Sequence, residues 1–211
     1  MRRKTAIVSV FIFSFVFVPH VARASFVGQA MLGELEAKYG KRAYDRGVAL
    51  MGMMAELKTA DTKTKLARVN DFFNHYAYRT DEELWQQEDY WATPTEFIGR
   101  AGGDCEDYVI SKYFVLRSLD IPDDKLHLAY VKSTRQNIKH MVVNYYETPG
   151  STPLVLDNYN PKMLPASQRS DLKPIYSFPV KCQYADPGKS IGGNSGGLSC
   201  IAQNQDAVVR W

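Results

Sequence analysis

The stretch Gly102-Gly103-Asp104-Cys105-Glu106-Asp107 places one cysteine between two glycines and the predicted first turn of a helix. Asp104 is a residue type that often caps a helix, because its side chain accepts a hydrogen bond from an unpaired backbone N–H group. Residues 105–118 then carry apolar side chains in a pattern that predicts a buried helix. The glycines are expected to let the backbone turn sharply before Cys105 and to leave open space beside it.

The periodicity of apolar residues around this stretch predicts helices first and strands afterwards. Helices are predicted at 27–39 and 42–58, after a cap at Asp61, and after the capping-box sequence Thr93-Pro94-Thr95-Glu96, with a polar link at 81–83. Strands are predicted at 126–132, 140–146 and 153–157, with an edge strand near 176–180. The sequence therefore predicts an α+β fold in which the Cys105 helix packs on a small antiparallel sheet, with extra N-terminal helices.

Three residues of this predicted core have the chemistry of a thiol nucleophile with its base. Cys105 would lie at a helix N-terminus, where unpaired N–H groups and the helix dipole favour the thiolate. His140 begins one predicted strand, and Asp157 ends the next. A histidine can take the thiol proton while a carboxylate holds its other ring nitrogen. We therefore predict Cys105, His140 and Asp157 as the catalytic residues of a cysteine protease.

Simpler interpretations exist for each of these residues. Cys105 could be a structural cysteine, His140 a histidine at a strand edge, and Asp157 the first residue of an Asp-Asn-Tyr-Asn turn. The charged neighbours of Cys105 are unusual for a core cysteine, and the order of the three residues favours catalysis. A second motif, residues 193–197, resembles the serine-centred loop of trypsin-like proteases. Its residue before the serine does not match, so we predict a flexible glycine loop there.

The acids beside the cysteine raise an electrostatic question. Asp104, Glu106 and Asp107 bring negative charge close to a thiolate, which should raise the pKa of the thiol. Either these carboxylates point away from the sulfur, or Asp104 and Glu106 hold a divalent cation. A set of oxygen ligands suits Ca²⁺, which takes six to eight of them, so two carboxylates do not complete a site. The residues alone leave both interpretations open.

The N-terminus has the pattern of a secretory signal peptide. A basic Arg2-Arg3-Lys4 is followed by an apolar stretch at 6–18 and by the small-residue sequence Ala22-Arg23-Ala24. The apolar stretch is shorter than the roughly 20 residues that span a bilayer. We predict a cleaved signal peptide at 1–24, export from the cytoplasm, and one mature domain at 25–211 whose part from about 160 to 211 is irregular.

Removal of the signal changes the charge balance. It takes four of the 26 basic residues and no acidic one, which leaves 22 basic against 23 acidic groups. Nothing in this balance favours nucleic acid or an anionic membrane as a partner. The three cysteines are an odd number for an oxidising compartment, and a disulfide between Cys182 and Cys200 with Cys105 reduced is slightly favoured over three free thiols.

Three segments together resemble a known family. Residues 103–108, 139–143 and 156–158 are similar to those of bacterial transglutaminase-like cysteine proteinases, and more narrowly of the periplasmic LapG type. The resemblance runs from about Tyr90 to Asn158. The Cys, His, Asp order belongs to the wider superfamily, whereas the Asp-Cys-Glu-Asp-Tyr core and the upstream Trp-Ala-Thr-Pro are more specific. The resemblance implies a transglutaminase-like, papain-like core.

The resemblance also implies a function. It makes Cys105 the nucleophile, His140 the base and Asp157 its orienter, with calcium held partly by Asp104 and Glu106. Members of the family cut a large surface adhesin near its N-terminus after two alanines, which releases cells from a biofilm. An inner-membrane receptor for cyclic di-GMP sequesters the protease. A transamidating acyltransferase of the same fold and a non-catalytic calcium-dependent binding module remain the alternatives.

Overall fold

The computed structural model describes residues 20–180, which form six α-helices, seven β-strands and two short 3-10 helices. The α-helices are α1 (His20–Tyr39), α2 (Lys41–Leu57), α3 (Thr62–Asn74), α4 (Asp81–Trp85), α5 (Pro94–Arg100) and α6 (Cys105–Ser118). The strands are β1 (Ala77–Tyr78), β2 (Gly102–Gly103), β3 (Leu126–Ser133), β4 (Ile138–Tyr145), β5 (Leu154–Leu156), β6 (Leu164–Pro165) and β7 (Leu172–Pro179). The predicted α+β fold is confirmed.

Five of the strands form one antiparallel sheet in the order β6-β5-β4-β3-β7. The central strand β3 pairs along its length with both β4 and β7, so the predicted C-terminal edge strand is confirmed. The strand β5 pairs with β4 only over residues 143–145. The first half of β4, which contains His140, therefore extends beyond the end of β5.

Helix α6 lies at the centre of the molecule, between α3 and the sheet, where it contacts β4. Seven consecutive side chains of this helix, residues 107–113, are buried. Because the buried positions include Asp107, Ser111 and Lys112 as well as apolar residues, polar side chains do not gather on one exposed face of the helix. The core around and within this helix includes the large apolar side chains of Phe73, Phe97, Tyr113, Leu128 and Phe178, all at most 2% exposed.

Side-chain caps fix the starts of two helices where the sequence predicts them. The carboxylate of Asp61 accepts a hydrogen bond from the Thr64 N–H at 3.0 Å, at the N-terminus of α3. The capping box of α5 is complete, because Glu96 accepts from the Thr93 N–H at 2.8 Å and Thr93 Oγ1 accepts from the Glu96 N–H at 3.3 Å. Each such cap stabilises a helix by about 1 kcal/mol.

The glycines before Cys105 have a different role from the predicted one. The sharp turn is made by Ala101, whose φ is 59°, while Gly102 and Gly103 are extended and pair in parallel with β1. A Cβ on Gly102 would lie 2.3 Å from the carbonyl oxygen of Ala77, and one on Gly103 would lie 2.4 Å from Oδ2 of Asp107. Glycine is required here because neighbouring atoms approach the backbone too closely for a side chain.

Two further predictions from the sequence concern the link at 81–83 and the two ends of the chain. The predicted polar link at 81–83 is helical, because Thr80 caps α4 by accepting a hydrogen bond from the Glu83 N–H. Most of the predicted signal peptide, the cysteine pair at 182 and 200, and the glycine loop at 193–197 lie outside the described residues. Within residues 20–180, no helix has both the length and the apolar character needed to cross a membrane.

Candidate active site

Cys105 is the first residue of α6, and it is a partly buried free thiol. Asp104 occupies the N-cap position, and its N–H donates to Oδ2 of Asp107 at 3.3 Å. Burial and the neighbouring carboxylates raise the pKa of the Cys105 thiol, and the nearby backbone N–H of Met141 offsets only part of this shift. Because Met141 belongs to the part of β4 beyond β5, the helix start meets the sheet next to His140.

His140 and Asp157 form a buried pair. Nε2 of His140 lies 2.7 Å from Oδ1 of Asp157, and the two residues are 0% and 1% exposed. Asp157 directly follows β5, the strand that pairs with β4, so the order of strands brings the two residues together. The other ring nitrogen, Nδ1 of His140, is buried and has no hydrogen-bond partner among the described residues. When Nε2 carries the proton and donates to Asp157, Nδ1 has the lone pair that can accept another.

Tyr159 connects the predicted residues. Its ring stacks on the imidazole of His140, with centroids 3.9 Å apart and planes 4° from parallel. Its backbone N–H donates to Oδ1 of Asp157 at 2.8 Å. Burial raises the pKa of the Tyr159 hydroxyl, and the nearby Cys105 and Asp157 charges raise it further. Cys105, His140 and Asp157 therefore lie around one tyrosine that the sequence analysis did not single out.

Arg169 is a second residue that the sequence analysis missed. Its Nη2 donates to Oδ2 of Asp157 at 2.5 Å, and the guanidinium also bonds both oxygens of Asp171 at 2.9 Å. Burial alone would raise the pKa of Asp157, but the hydrogen bonds and charges of His140 and Arg169 outweigh it and lower that pKa. Arg169 lies in an irregular segment whose sequence carries no periodic signal.

A buried lysine lies on the far side of Asp157. Lys112 of α6 is 1% exposed, and its Nζ donates to Oδ1 of Asn74 at 2.7 Å. Nδ2 of Asn74 in turn donates to the backbone carbonyl of Asp157 at 2.8 Å. Burial lowers the pKa of Lys112 to about 7. Lys112 thus supports the main chain of Asp157 through Asn74.

Carboxylates gather on the other side of Cys105. They form two groups that share Asp81: Asp81, Asp104 and Asp107 in one, and Asp81, Asp89 and Glu106 in the other. In each group every residue has one carboxylate oxygen within 4.8 Å of an oxygen of each other member. The predicted ligands Asp104 and Glu106 are therefore both in such groups. Asp81 and Asp89 were missed, because they lie more than ten residues upstream in a segment without a recognisable motif.

These carboxylates differ in how well they are satisfied. Asp107 accepts backbone hydrogen bonds on both oxygens, from Ala92 at 2.7 Å and from Asp104 at 3.3 Å. Oδ1 of Asp81 and Oδ1 of Asp104 are buried without a donor among the described residues. Burial, and then the charge of Glu106, raises the pKa of Asp104 to about 9. Crowded carboxylate oxygens without donors are the ligand set that a hard divalent cation requires.

The Cys105 thiol lies beside these carboxylates. Cys105 donates to Oε2 of Glu106 at 2.9 Å, and burial together with that carboxylate raises the pKa of the thiol. A cleft of about 700 Å³ opens beside the carboxylates, lined by Thr80, Asp81, Glu82, Gln86, Gln87, Glu88 and Asp104. Every residue that lines it has a polar side chain, and two of them, Asp81 and Asp104, hold the carboxylate oxygens that have no donor among the described residues.

Comparison with known proteins identifies the family. The family described as bacterial transglutaminase-like cysteine proteinase matches residues 42–178. A structure of Legionella pneumophila LapG is 40% identical, over 73% of this chain and 84% of that chain, with a TM-score of 0.66. A calcium-bound form of Legionella LapG is 36% identical over 83% of this chain and 98% of that chain, with a TM-score of 0.68. The EGTA-treated form is 36% identical over 83% of this chain and 96% of that chain, with a TM-score of 0.67.

No curated protein sequence matches at a significant level. The family match nevertheless covers well over half of the chain, and the solved relatives cover more of it at above 30% identity. The chain therefore belongs to the bacterial transglutaminase-like cysteine proteinases. It is a LapG-type cysteine peptidase with a transglutaminase-like fold.

Proposed function

We propose that this bacterial transglutaminase-like cysteine proteinase is a periplasmic, calcium-dependent endopeptidase with Cys105, His140 and Asp157 as its triad. The observation that supports the triad best is the 2.7 Å contact between His140 Nε2 and Asp157 Oδ1, with Nδ1 left free. The thiol at the helix start lies near the backbone N–H of Met141, the residue after His140. We assign Cys105 as the nucleophile, His140 as the base and Asp157 as the orienter, which are the roles that thiol proteases use.

In the proposed reaction, Nδ1 of His140 takes the thiol proton while its Nε2–H donates to Asp157. The Cys105 thiolate then adds to the carbonyl carbon of the scissile peptide bond. The N-terminus of α6 provides unpaired backbone N–H groups where the oxyanion develops. The imidazolium returns its proton to the leaving amine as the C–N bond breaks, which leaves a thioester on Cys105. Water activated by His140 hydrolyses the thioester and restores the thiol.

The carboxylates near Cys105 support calcium dependence. Asp104 and Glu106, joined by Asp81 and Asp89, would hold the ion, and Asp107 would brace the site through its backbone hydrogen bonds. When bound, calcium would supply positive charge beside the thiol, where burial and the acids otherwise disfavour the thiolate. The calcium-bound and EGTA-treated forms of Legionella LapG make calcium the first ion to test.

The substrate and the regulation follow from the family resemblance. We propose that the substrate is a large surface adhesin, cut near its N-terminus after two alanines, and that its release promotes biofilm dispersal. An inner-membrane receptor for cyclic di-GMP would inhibit the protease by sequestering it. The basic, apolar and small-residue pattern of residues 2–24 supports export to the periplasm.

The test is a cleavage assay on secreted high-molecular-weight surface protein from the same cells. Wild type and Cys105→Ala are each incubated with calcium or with EGTA, under conditions where the thiol is shown to be reduced. The proposal expects one N-terminal cut by wild type with calcium and none by the variant. Cleavage that is unchanged in EGTA would remove the metal but keep the triad.

Two further outcomes address the alternatives. Incorporation of a labelled primary amine into the product would make the protein a transamidating acyltransferase, since an amine would then have resolved the thioester. Binding of the adhesin by both proteins without any cleavage would make it a calcium-dependent binding module. A calcium titration by calorimetry on Cys105→Ala shows whether the variant has kept its fold and its ion.

A further inference from the structure

The contacts of Arg169 point to a role in the reaction that goes beyond the triad. This residue is 2% exposed and bridges two carboxylates, Asp157 at 2.5 Å and Asp171 at 2.9 Å. We propose that Arg169 is a positioning residue that keeps Asp157 ionised and thereby holds His140 in the tautomer that can accept the Cys105 proton. This inference rests on the proposed triad.

Burial creates the need for such a residue. Asp157 is 1% exposed, and an isolated carboxylate at that depth would take up a proton rather than stay charged. In the resting state from which His140 can accept the thiol proton, its imidazole carries one proton and supplies no charge. The guanidinium of Arg169 is always protonated, so it is the group that balances Asp157 in this resting state.

The charge of Asp157 decides which nitrogen of His140 carries the proton. An ionised Asp157 can only accept, so Nε2 must be the N–H donor across the 2.7 Å contact and Nδ1 is left with a lone pair. A protonated Asp157 would donate to Nε2 instead. The imidazole proton would then move to Nδ1, and that nitrogen could no longer take the thiol proton.

The other groups around Asp157 do not replace Arg169. Lys112 bonds the amide of Asn74, which reaches only the backbone carbonyl of Asp157, and burial lowers the pKa of this lysine to about 7. Tyr159 contributes its backbone N–H to Oδ1 and no charge. Asp171 is a second anion, and its part is to hold the guanidinium in place from the opposite side. Arg169 is the cation in direct contact with the Asp157 carboxylate within residues 20–180.

The first experiment measures the tautomer itself. Histidine labelled with ¹⁵N is incorporated into Cys105→Ala and into Cys105→Ala/Arg169→Met, and the His140 ring nitrogens are observed by NMR at neutral pH. The proposal expects a protonated Nε2 and a bare Nδ1 in the first protein, and a shift of the proton toward Nδ1 in the second. The same tautomer in both proteins would overturn the proposal, whatever the enzyme does to its substrate.

The second experiment is a double-mutant cycle on activity. We expect Arg169→Met to lower kcat/KM for cleavage about a hundredfold. Arg169→Lys should recover about tenfold of that loss, because lysine keeps the positive charge but lacks the planar set of hydrogen-bond donors of a guanidinium. In an Asp157→Asn background Arg169→Met should add less than about threefold, since both changes act through one carboxylate. Losses that multiply would overturn the proposal. Arg68→Met, which breaks an exposed pair with Glu56, is the matched arginine control.

Folding and function are separated by two controls. Arg169→Met leaves a buried carboxylate unpaired and could unfold the protein, whereas Arg169→Met/Asp157→Asn removes both charges and Arg169→Lys removes neither. Thermal melting of these variants identifies any loss that is only structural. Full cleavage by Cys105→Ala or by Asp157→Asn would refute the triad, and with it the proposed function, while the NMR result would still report on Arg169.

Discussion

The two sides of Cys105 balance their charges in opposite ways. On one side, here called the orienting side, Tyr159 and Arg169 donate hydrogen bonds to the single carboxylate of Asp157, and Nε2 of His140 lies 2.7 Å from the same carboxylate. On the other, here called the acidic side, the carboxylates of Asp81, Asp89, Asp104, Glu106 and Asp107 crowd together. Within residues 20–180 none of these five acids forms an ion pair with lysine or arginine.

The difference shows which part of the site the protein completes by itself. The orienting side has a donor for each oxygen of Asp157 and needs nothing from solution. The acidic side has buried oxygens on Asp81 and Asp104 without donors, and burial raises the pKa of Asp104 to about 9. An arrangement of this kind is stable as an anion only when a cation joins it. We therefore expect the orienting side to be independent of calcium and the acidic side to depend on it.

The largest expected effect comes from the orienting side. Asp157→Asn should lower kcat about ten-thousandfold, because an amide can donate to Nε2 and thus favour the wrong imidazole tautomer. Some activity should remain from the thiol and the oxyanion site. The calcium affinity measured by calorimetry should equal that of wild type, and a weakened affinity would break the independence of the two sides. Asp45→Asn, an exposed aspartate paired with Lys41, serves as the surface control.

The next effect comes from the acidic side. Asp104→Asn should lower cleavage in calcium about a hundredfold, because the site loses a charged ligand. In EGTA above about pH 9, where Asp104 is ionised, the same change removes a charge that opposes the thiolate, so alkylation of Cys105 by iodoacetamide should become faster than in wild type. Iodoacetamide transfers a carboxamidomethyl group to the Cys105 sulfur and releases iodide. Mass spectrometry of the modified protein over time measures the rate of this reaction.

The control for these opposite effects of Asp104→Asn, slower cleavage in calcium and faster alkylation in EGTA, is Glu82→Gln. Glu82 lines the same cleft but belongs to neither carboxylate group. It should leave both rates near those of wild type. A slower alkylation of Asp104→Asn in EGTA would show that the acidic side does not oppose the thiolate, and the comparison between the two sides would lose its electrostatic basis.

A smaller effect concerns stability as a function of pH. The pKa values of Asp104 and Asp107 are raised to about 9 and about 8, so between about pH 4 and pH 8 the folded protein holds protons that the unfolded chain releases. The metal-free protein should therefore lose stability as the pH rises through this range. The lowered pKa of Asp157 acts with the opposite sign, since its contribution is present above about pH 4 and is lost as the pH falls further.

Thermal melting in EGTA at pH 5 and pH 8 measures this dependence. We expect the melting temperature to be lower at pH 8 by several degrees, on a scale of roughly 2–4 °C per kcal/mol for a chain of this size. Calcium should reduce or reverse the difference, because it binds the ionised carboxylates. A melting temperature in EGTA that rises from pH 5 to pH 8, equally in wild type and in Asp104→Asn, would contradict the prediction.

The smallest effect separates the ring of Tyr159 from its hydroxyl. The stack on His140 uses the ring face, with centroids 3.9 Å apart, while the contact with Asp157 uses the backbone N–H. Tyr159→Phe should therefore change kcat less than about threefold, and Tyr159→Ala should lower it about tenfold by letting the imidazole move. Steady-state kinetics of the pair decide this, and equal losses would assign the role to the hydroxyl.

The sequence was informative wherever a signal is local. Asp61 and the Thr93–Glu96 box mark helix starts, because a cap joins residues three positions apart. The change from helical to alternating periodicity predicted the strands that hold His140 and precede Asp157, since burial on one face repeats every second residue. The glycines, by contrast, were predicted for the wrong reason, because Ala77, whose carbonyl oxygen crowds Gly102, is distant from it along the chain.

By itself, the sequence determined the helix that starts at Cys105, the order of helices and strands, and the family. The helix and the order of elements are consequences of hydrogen bonding and periodic burial between residues close in the chain, whereas the family follows from the resemblance of short segments to known proteins. The tertiary structure alone decided that Arg169 lies against Asp157, and that Asp81 and Asp89 join the acids beside Cys105. Such pairs are set by how the sheet edge, α4 and α6 pack together, and no local pattern encodes the distance between side chains that only packing brings into contact.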